Sequence, residues 1–229
     1  MGDAVNLRDL ARSVPGSSRV ALSYRFGDTS RTAPLTSWGT SRGLAVDRWY
    51  IEHYLQEHAA DVRGRVLEVK EDAYATLLGA EEVEVVDIDE DNLEAGIHGD
   101  LCDSATLAEG RFDAAVVTQT LQLVDDPRAA LRNLVRALVP GGVLLLTVPC
   151  LSQSAGPADK WRWTPAGLTH LLAEAVPAAE SSEVRGLGNG LASRAFLFGL
   201  AADDLPQRAL AQHDPDRPLL AVARVPGAG

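Results

Sequence analysis

The sequence predicts an α/β fold, a mostly parallel sheet covered by helices on both faces. Two observations carry this. Short apolar segments alternate with helical ones along most of the chain, and the apolar segments lack the in–out alternation of a half-solvated strand. One helix is also unusually well marked. Asp126 stands as an N-cap, Pro127 at the first helical position, and Leu131, Leu134, Val135 and Leu138 form one face.

The remaining elements follow in order. Residues 13–45 are rich in Ser, Thr, Gly, Pro and Arg and read as irregular. Residues 1–45 are therefore expected to be a lead-in and short N-terminal cap, and residues 46–229 the α/β domain. From Val46 to about Val62 the pattern is helical, with Asp47 as cap and Trp49, Tyr50, His53, Tyr54 and Leu55 at three-to-four spacing, until Arg63-Gly64 breaks it. Strands are expected at Arg65–Val69, Glu82–Asp87 and Phe112–Thr118, with a short third strand near Ile97–Asp100. A short helix spans Asp72–Leu78, stopped by Gly79. Pro140-Gly141-Gly142 ends the marked helix, and Val143–Val148 is a buried strand. Thr164–Ala175 and Leu191–Leu200 read as helices, Ser182–Leu187 and Leu219–Val225 as strands.

Composition narrows the function classes. The 229 residues carry 21 basic and 32 acidic side chains, a net charge of −11, with 46% hydrophobic residues. That is a globular composition, and the acidity argues against nucleic acid or an anionic membrane as partner. No run approaches 18 apolar residues, the first residues lack a signal-like apolar core, and Cys102 and Cys150 form neither a disulfide framework nor a metal cluster. The expectation is a cytoplasmic, metal-free protein. The chain has two lysines, Lys70 and Lys160.

In an open α/β sheet, ligands bind beyond the carboxyl ends of the strands. The polar residues expected there are Glu68, Asp87, Asp100 and the pair Thr118-Gln119. Three converging carboxylates repel a pyrophosphate but suit a cationic ligand with ribose hydroxyls and an exocyclic amine. Asp87 follows Glu68 at about the spacing at which an acid meets a ribose. A nicotinamide-dependent oxidoreductase fits poorly, because the glycine fingerprint is missing and the lining is acidic.

The run VLEV…VEVVDID…GDLCD…FDAAVVTQTLQLVDDPRAALRNLVRALVPGGVLLLTVP, roughly residues 64–150, resembles the class I S-adenosylmethionine-dependent methyltransferases. The resemblance implies a single Rossmann-like, doubly wound sheet with an antiparallel final strand. It implies S-adenosylmethionine as cofactor, with Glu68 and Val69 toward its methionine end, Asp87 on the ribose, Ile88 against adenine, and Asp100 with Leu101 facing the adenine amine. Thr118 and Gln119 would line the methyl end. The family's glycine-rich loop reads E-x-G-x-G-x-G. Here Lys70, Asp72 and Tyr74 stand at the three glycine positions, a loop of the degenerate type that a branch of the family also shows.

Substrate residues are expected at Arg42, Arg48 and Tyr50 before the sheet, and at Trp161, Arg162 and Trp163 in the loop after the fifth strand. Asp47, His53 and Gln119 are the catalytic candidates, with His213 a further base. The leading expectation is methyl transfer to a small molecule such as a sugar or specialised metabolite. The alternative is a protein of this fold that has lost methyl transfer and works as a non-methylating enzyme or a regulatory binding partner. A homodimer is compatible with the sequence, which carries no signal for or against it.

Overall fold

The computed structural model describes residues 33–178 and 181–227. The N-terminal lead-in and cap expected over residues 1–45 lies outside the described residues as far as residue 32. From Thr36 onward the chain forms one compact unit.

Its elements run in this order: helix α1 (Val46–Glu57), strand β1 (Arg65–Val69), helix α2 (Ala73–Leu77), strands β2 (Glu82–Asp87), β3 (Ile97–His98) and β4 (Phe112–Thr118), helix α3 (Pro127–Arg136), strand β5 (Leu138–Pro149), helix α4 (Pro165–Ala175), strand β6 (Glu183–Leu187), helices α5 (Gly190–Leu197) and α6 (Gln207–Leu210), and strand β7 (Leu220–Pro226). A 3-10 turn at Ala59–Asp61 follows α1.

The seven strands form one sheet in the order β3-β2-β1-β4-β5-β7-β6. Pairings from β3 across to β5 are parallel, and β7 runs antiparallel to both β5 and β6. The order reverses between β1 and β4, so the carboxyl ends of these two strands open a crevice. The expected Rossmann-like architecture, including the antiparallel final strand, is the one observed.

Alternate residues of the central strands supply two cores. Leu67, Ala115, Val117, Leu144 and Leu146 face α3 and α4, whose Leu131, Leu134, Leu168 and Leu172 cover them. Val66, Ala114, Val116, Val143 and Leu145 face the other way, toward Tyr50, Ile51, Tyr54 and Leu55 of α1 and Phe196 of α5. Both faces are buried because the period-two pleat sends consecutive apolar residues to opposite helical layers.

Caps work as the sequence indicates at α3, where Asp126 accepts from the Arg128 and Ala129 N–H groups, and at α4, where Thr164 accepts from Gly167 N–H. Three expectations are corrected. Asp47 is not a cap. Helix α1 starts one residue after Ala45, which bridges Ala201, and Asp47 sits in the first turn accepting from Arg48 N–H at 2.9 Å. The α1 helix ends at Glu57 rather than running to Val62, the 3-10 turn taking up the remainder. Pro140-Gly141-Gly142 does not precede the strand but lies inside it. β5 begins at Leu138, and the irregular stretch is absorbed as a register shift opposite Phe112 and Ala114.

The segment 36–45 is stitched to the region after α5. Thr36 Oγ1 donates to Gly199 O at 2.8 Å, Ala202 N–H to Leu44 O at 2.8 Å, and Arg42 holds Asp204 with two hydrogen bonds. Gly199 has φ +72°, and a Cβ there would lie 1.9 Å from Thr36 O, so only glycine fits this crossing.

Candidate functional site

Two adjoining cavities open at the carboxyl ends of the parallel strands. The larger, of about 550 Å³, is bounded by the turns after β1, β2, β3 and β4. The smaller, of about 260 Å³, lies between the residues before and at the start of α1, the turn after β4 and the loop after β5. Arg48, Gln119 and Leu123 line both.

The larger cavity starts at Glu68. Its strand position buries it to 3% exposure, and its two carboxylate oxygens accept from Tyr74 N–H (3.1 Å) and Ala75 N–H (2.8 Å) at the start of α2. Burial pushes its carboxyl up to about 7, against the pull of those two N–H groups, and the acids Asp72 and Glu71 add to the rise. Lys70 follows at φ +76°, a left-handed conformation in which a side chain is strained. The neighbours hold it there. Lys70 N–H donates to Val86 O at 2.9 Å, and its carbonyl accepts from Asn92 Nδ2 at 2.7 Å. A lysine thus occupies the backbone turn that glycine would make freely.

Asp87 ends β2. Burial works against its ionisation, but Asn92 Nδ2 at 2.8 Å, backbone N–H groups and the charge of Lys70 together hold its carboxyl below the ordinary value. It stays an acceptor at neutral pH. Ile88 beside it is 69% exposed, a large apolar surface at the cavity rim. Leu101 is buried, and Asp100 is anchored by Cys102 N–H at 2.8 Å.

The turn after β4 is strained as well. Gln119 has φ +49°, fixed by its N–H donating to Thr147 O at 3.0 Å. Gln122 Nε2 closes the turn by donating to Gln119 O at 2.7 Å. The loop after β5 clasps this turn from outside, with Lys160 N–H on Gln122 O, Lys160 Nζ on Leu123 O and Trp161 Nε1 on Val124 O. Arg48 Nη1 donates to Tyr74 Oη at 2.9 Å, its guanidinium lying against the Tyr74 ring and forming a wall common to both cavities.

All ten residues expected around the cofactor, Glu68, Val69, Lys70, Tyr74, Asp87, Ile88, Asp100, Leu101, Thr118 and Gln119, line the larger cavity. Of the substrate candidates, Arg48 and Arg162 line the smaller one, as does the catalytic candidate Asp47. The others are elsewhere. Arg42 is exposed and spent on Asp204. Tyr50 is buried in the core with its hydroxyl on Leu210 O, and Trp163 is buried under α4. Trp161, 40% exposed, turns to Val124 O. His53 stacks on Trp49 and bonds its carbonyl, lining neither cavity, and His213 accepts from Gly188 N–H. The helical period explains the outcome at α1: residues 47 and 48 face the crevice, whereas 50 faces the sheet and 53 the solvent.

Sequence reasoning missed Gln122, and it reached Asp159 and Lys160 only as the first residues of the loop after the fifth strand expected at the substrate pocket. One signal was available for Lys160, since both lysines of the chain line the larger cavity. Among the described residues, no group of three His, Cys, Asp or Glu side chains could hold a metal ion, and no helix is long and apolar enough to cross a membrane. Cys102 and Cys150 are half-buried free thiols against the core.

The donor set of the larger cavity fits S-adenosylmethionine. With that ligand bound, Asp87 would offer acceptors to its ribose hydroxyls, Ile88 and Leu101 apolar contact, and Glu68 a carboxylate to its ammonium. Lys70 keeps the turn that brings backbone to the ligand.

Comparison with known proteins agrees. Residues 53–146 match the family model described as a methyltransferase domain. No curated protein sequence matches the chain. Solved structures share the fold. An S-adenosylmethionine-dependent methyltransferase of Thermotoga maritima is 20% identical with a TM-score of 0.54, covering 79% of this chain and 93% of its own. One from Archaeoglobus fulgidus is 13% identical with a TM-score of 0.52, covering 78% and 94%, and one from Mesorhizobium loti is 16% identical with a TM-score of 0.51, covering 80% and 98%. Residues 53–146 thus match a methyltransferase domain, on the fold shared with S-adenosylmethionine-dependent methyltransferases, with S-adenosylmethionine as the cofactor.

Proposed function

We propose that the protein transfers a methyl group to a small-molecule acceptor held in the smaller cavity. The supporting observation is the pair of cavities meeting at Arg48 and Gln119, one with a cofactor-like lining and one compact, with Asp47, Gln122 and Arg162 set among apolar walls. When bound, S-adenosylmethionine supplies an electrophilic methyl group on a sulfonium, released as sulfur keeps the bonding pair.

Positioning by this chain does the larger part of the work. Gln119, at the junction of the cavities, orients the acceptor atom toward the methyl. Arg48 and Tyr74 close the junction and exclude water. For an oxygen or nitrogen acceptor a proton must leave as the new bond forms, and Asp47 takes it. Asp47 is the carboxylate of the smaller cavity outside the Asp159–Arg162 pair. Burial raises its carboxyl above the ordinary value, moving it toward the range useful to a base. His53, stacked on Trp49, has no part in this scheme.

The test is methyl transfer from labelled S-adenosylmethionine to a panel of small hydroxyl and amine acceptors, alongside Asp47→Asn. Transfer that Asp47→Asn slows about 100-fold or more supports the role of the base. Labelling of protein or nucleic acid in preference to small molecules contradicts the proposal.

A second reading has one observation in its favour. Lys70 places a long side chain at φ +76° against the cofactor cavity, where a glycine would leave bare backbone. A chain that had abandoned methyl transfer would tolerate this. Its ammonium instead fits the first reading, because its charge favours the ionised form of Asp87 on the same edge.

A further inference from the structure

Arg48 carries a half-buried guanidinium that no carboxylate of the described residues reaches. Three other described arginines are half-buried, and each has its acid: Arg65 holds Glu82 at 2.6 Å, Arg136 has Glu109 at 3.9 Å and Arg224 holds Asp61 at 2.8 Å. The side chain of Arg48 makes one hydrogen bond among the described residues, Nη1 to the neutral Tyr74 Oη at 2.9 Å. Asp47 and Glu71 act on it through charge, without contact to the guanidinium. Its Nε and Nη2 groups are left without an acceptor. A guanidinium withdrawn from water is costly unless an anion meets it, and Nε with Nη2 forms the fork that a carboxylate fits.

The surroundings indicate which carboxylate. Arg48 and Glu68 line the larger cavity together, and Tyr74 links them. Tyr74 N–H donates to the Glu68 carboxylate at 3.1 Å, and the Tyr74 hydroxyl accepts from Arg48. An acid and a guanidinium tied to the two ends of one residue suit a zwitterion, its ammonium toward the acid and its carboxylate toward the guanidinium. The other two cations of this cavity are less suited. Lys160 Nζ is spent on Asp125 at 2.8 Å and on Leu123 O at 3.0 Å. Lys70 is exposed, and its charge bears on Asp87 as well.

We propose that Arg48 holds the methionine carboxylate of S-adenosylmethionine through Nε and Nη2, with Tyr74 keeping the guanidinium in place. The role differs from the one expected for Arg48 in binding the acceptor. Because Arg48 also lines the smaller cavity, a carboxylate on the acceptor is the other source of such an anion, and the link through Tyr74 to Glu68 favours the cofactor. This inference rests on the larger cavity being the cofactor site.

Calorimetry on wild type and Arg48→Met tests this with two ligands, S-adenosylhomocysteine and its decarboxylated analogue S-adenosyl-3-thiopropylamine. Wild type is expected to bind S-adenosylhomocysteine at least about tenfold more tightly than the analogue. Arg48→Met is expected to lose about 10- to 150-fold on S-adenosylhomocysteine and nothing on the analogue, whose ammonium has no carboxylate beside it for Arg48 to hold. Arg48→Gln, which can keep the bond to Tyr74, is expected to behave alike. Equal binding of the two ligands by wild type, equal loss of both in a folded variant, or loss of neither overturns the assignment of Arg48 and leaves the cofactor in place. Benzoate binding to wild type saturated with S-adenosylhomocysteine, abolished in Arg48→Met while S-adenosylhomocysteine affinity is unchanged, gives the guanidinium to the acceptor and overturns it too. Failure of wild type to bind either adenosyl ligand removes the cofactor reading itself, and the role of Arg48 with it.

Discussion

The two cavities were built differently. The larger hangs on strand ends: Glu68, Asp87, Asp100 and Thr118 take their places because β1 to β4 stop there, and backbone hydrogen bonds fix their turns. The smaller is assembled from pieces distant in sequence, with Trp38 and Thr40, Asp47 and Arg48, Gln119 and Gln122, and Gln153 to Arg162. The first is a property of the sheet. The second depends on how a segment before α1 is tied to a crossing after α5. The cofactor side should therefore survive damage that the acceptor side does not.

Gly199→Ala is the most damaging way to test that difference. A Cβ 1.9 Å from Thr36 O at φ +72° combines left-handed strain with overpacking, together about 2–5 kcal/mol. Residues 36–45 should come loose from the crossing and acceptor binding should fail. S-adenosylhomocysteine affinity should stay within about threefold, since Gly199 and residues 36–45 lie outside the lining of the larger cavity. Equal loss of both ligands in calorimetry would show one undivided site.

Next in size is a pH effect on the cofactor side. Glu68's carboxyl is raised from near 4.5 to about 7 by burial, so the folded state favours its protonated form. That contribution is full below pH 4.5 and is lost as pH rises through 7, on the order of 3 kcal/mol for the ligand-free protein. Denaturant unfolding at pH 4.5 and pH 8 should show the drop in wild type, reduced in Glu68→Gln. A ligand ammonium at Glu68 should release a proton on binding near pH 7, and affinity should rise over that range. Matching pH curves for wild type and Glu68→Gln would remove Glu68 from this role.

Asp87→Ala follows. Ribose hydroxyls left without their acceptor cost about 1–3 kcal/mol, so S-adenosylhomocysteine affinity should fall roughly 5- to 150-fold in a folded protein. Acceptor affinity in protein still saturated with that ligand should be unaffected. Unchanged cofactor affinity would take Asp87 out of the site.

The smallest effect sharpens the contrast at one residue. Lys70→Gly removes a side chain from φ +76° and should stabilise the fold by about 1–2 kcal/mol, less the greater entropy of glycine in the unfolded chain. A loss of stability in thermal unfolding would mean that the lysine side chain makes compensating contacts.

The same contrast explains what could be read from the sequence. Strand ends follow from periodicity, so Glu68, Asp87, Asp100 and Gln119 could be named before any coordinates. Arg48 and Asp47 could be placed near the site because α1 leads into the sheet. Tyr50 and His53 could not be sorted from them by residue type, since one helical turn sends neighbours to the crevice, the core and the solvent. Trp161 and Trp163 looked like pocket walls. In the fold, one is clasped to a carbonyl and the other fills the core. Gln122 shows no sequence signal, because its hold on Gln119 O, which closes the turn after β4, is a contact that only packing reveals.

Calorimetric titration of wild-type protein and Lys70→Gly with S-adenosylhomocysteine tests the central claim most directly, that this cavity holds the cofactor with a lysine in the glycine's place. Wild type should bind with a dissociation constant below about 1 mM, more than about 4 kcal/mol of binding free energy. Lys70→Gly should bind more weakly, as the ligand's carboxylate loses a neighbouring cation. No binding by wild type at millimolar ligand, with binding restored in Lys70→Gly, would contradict it.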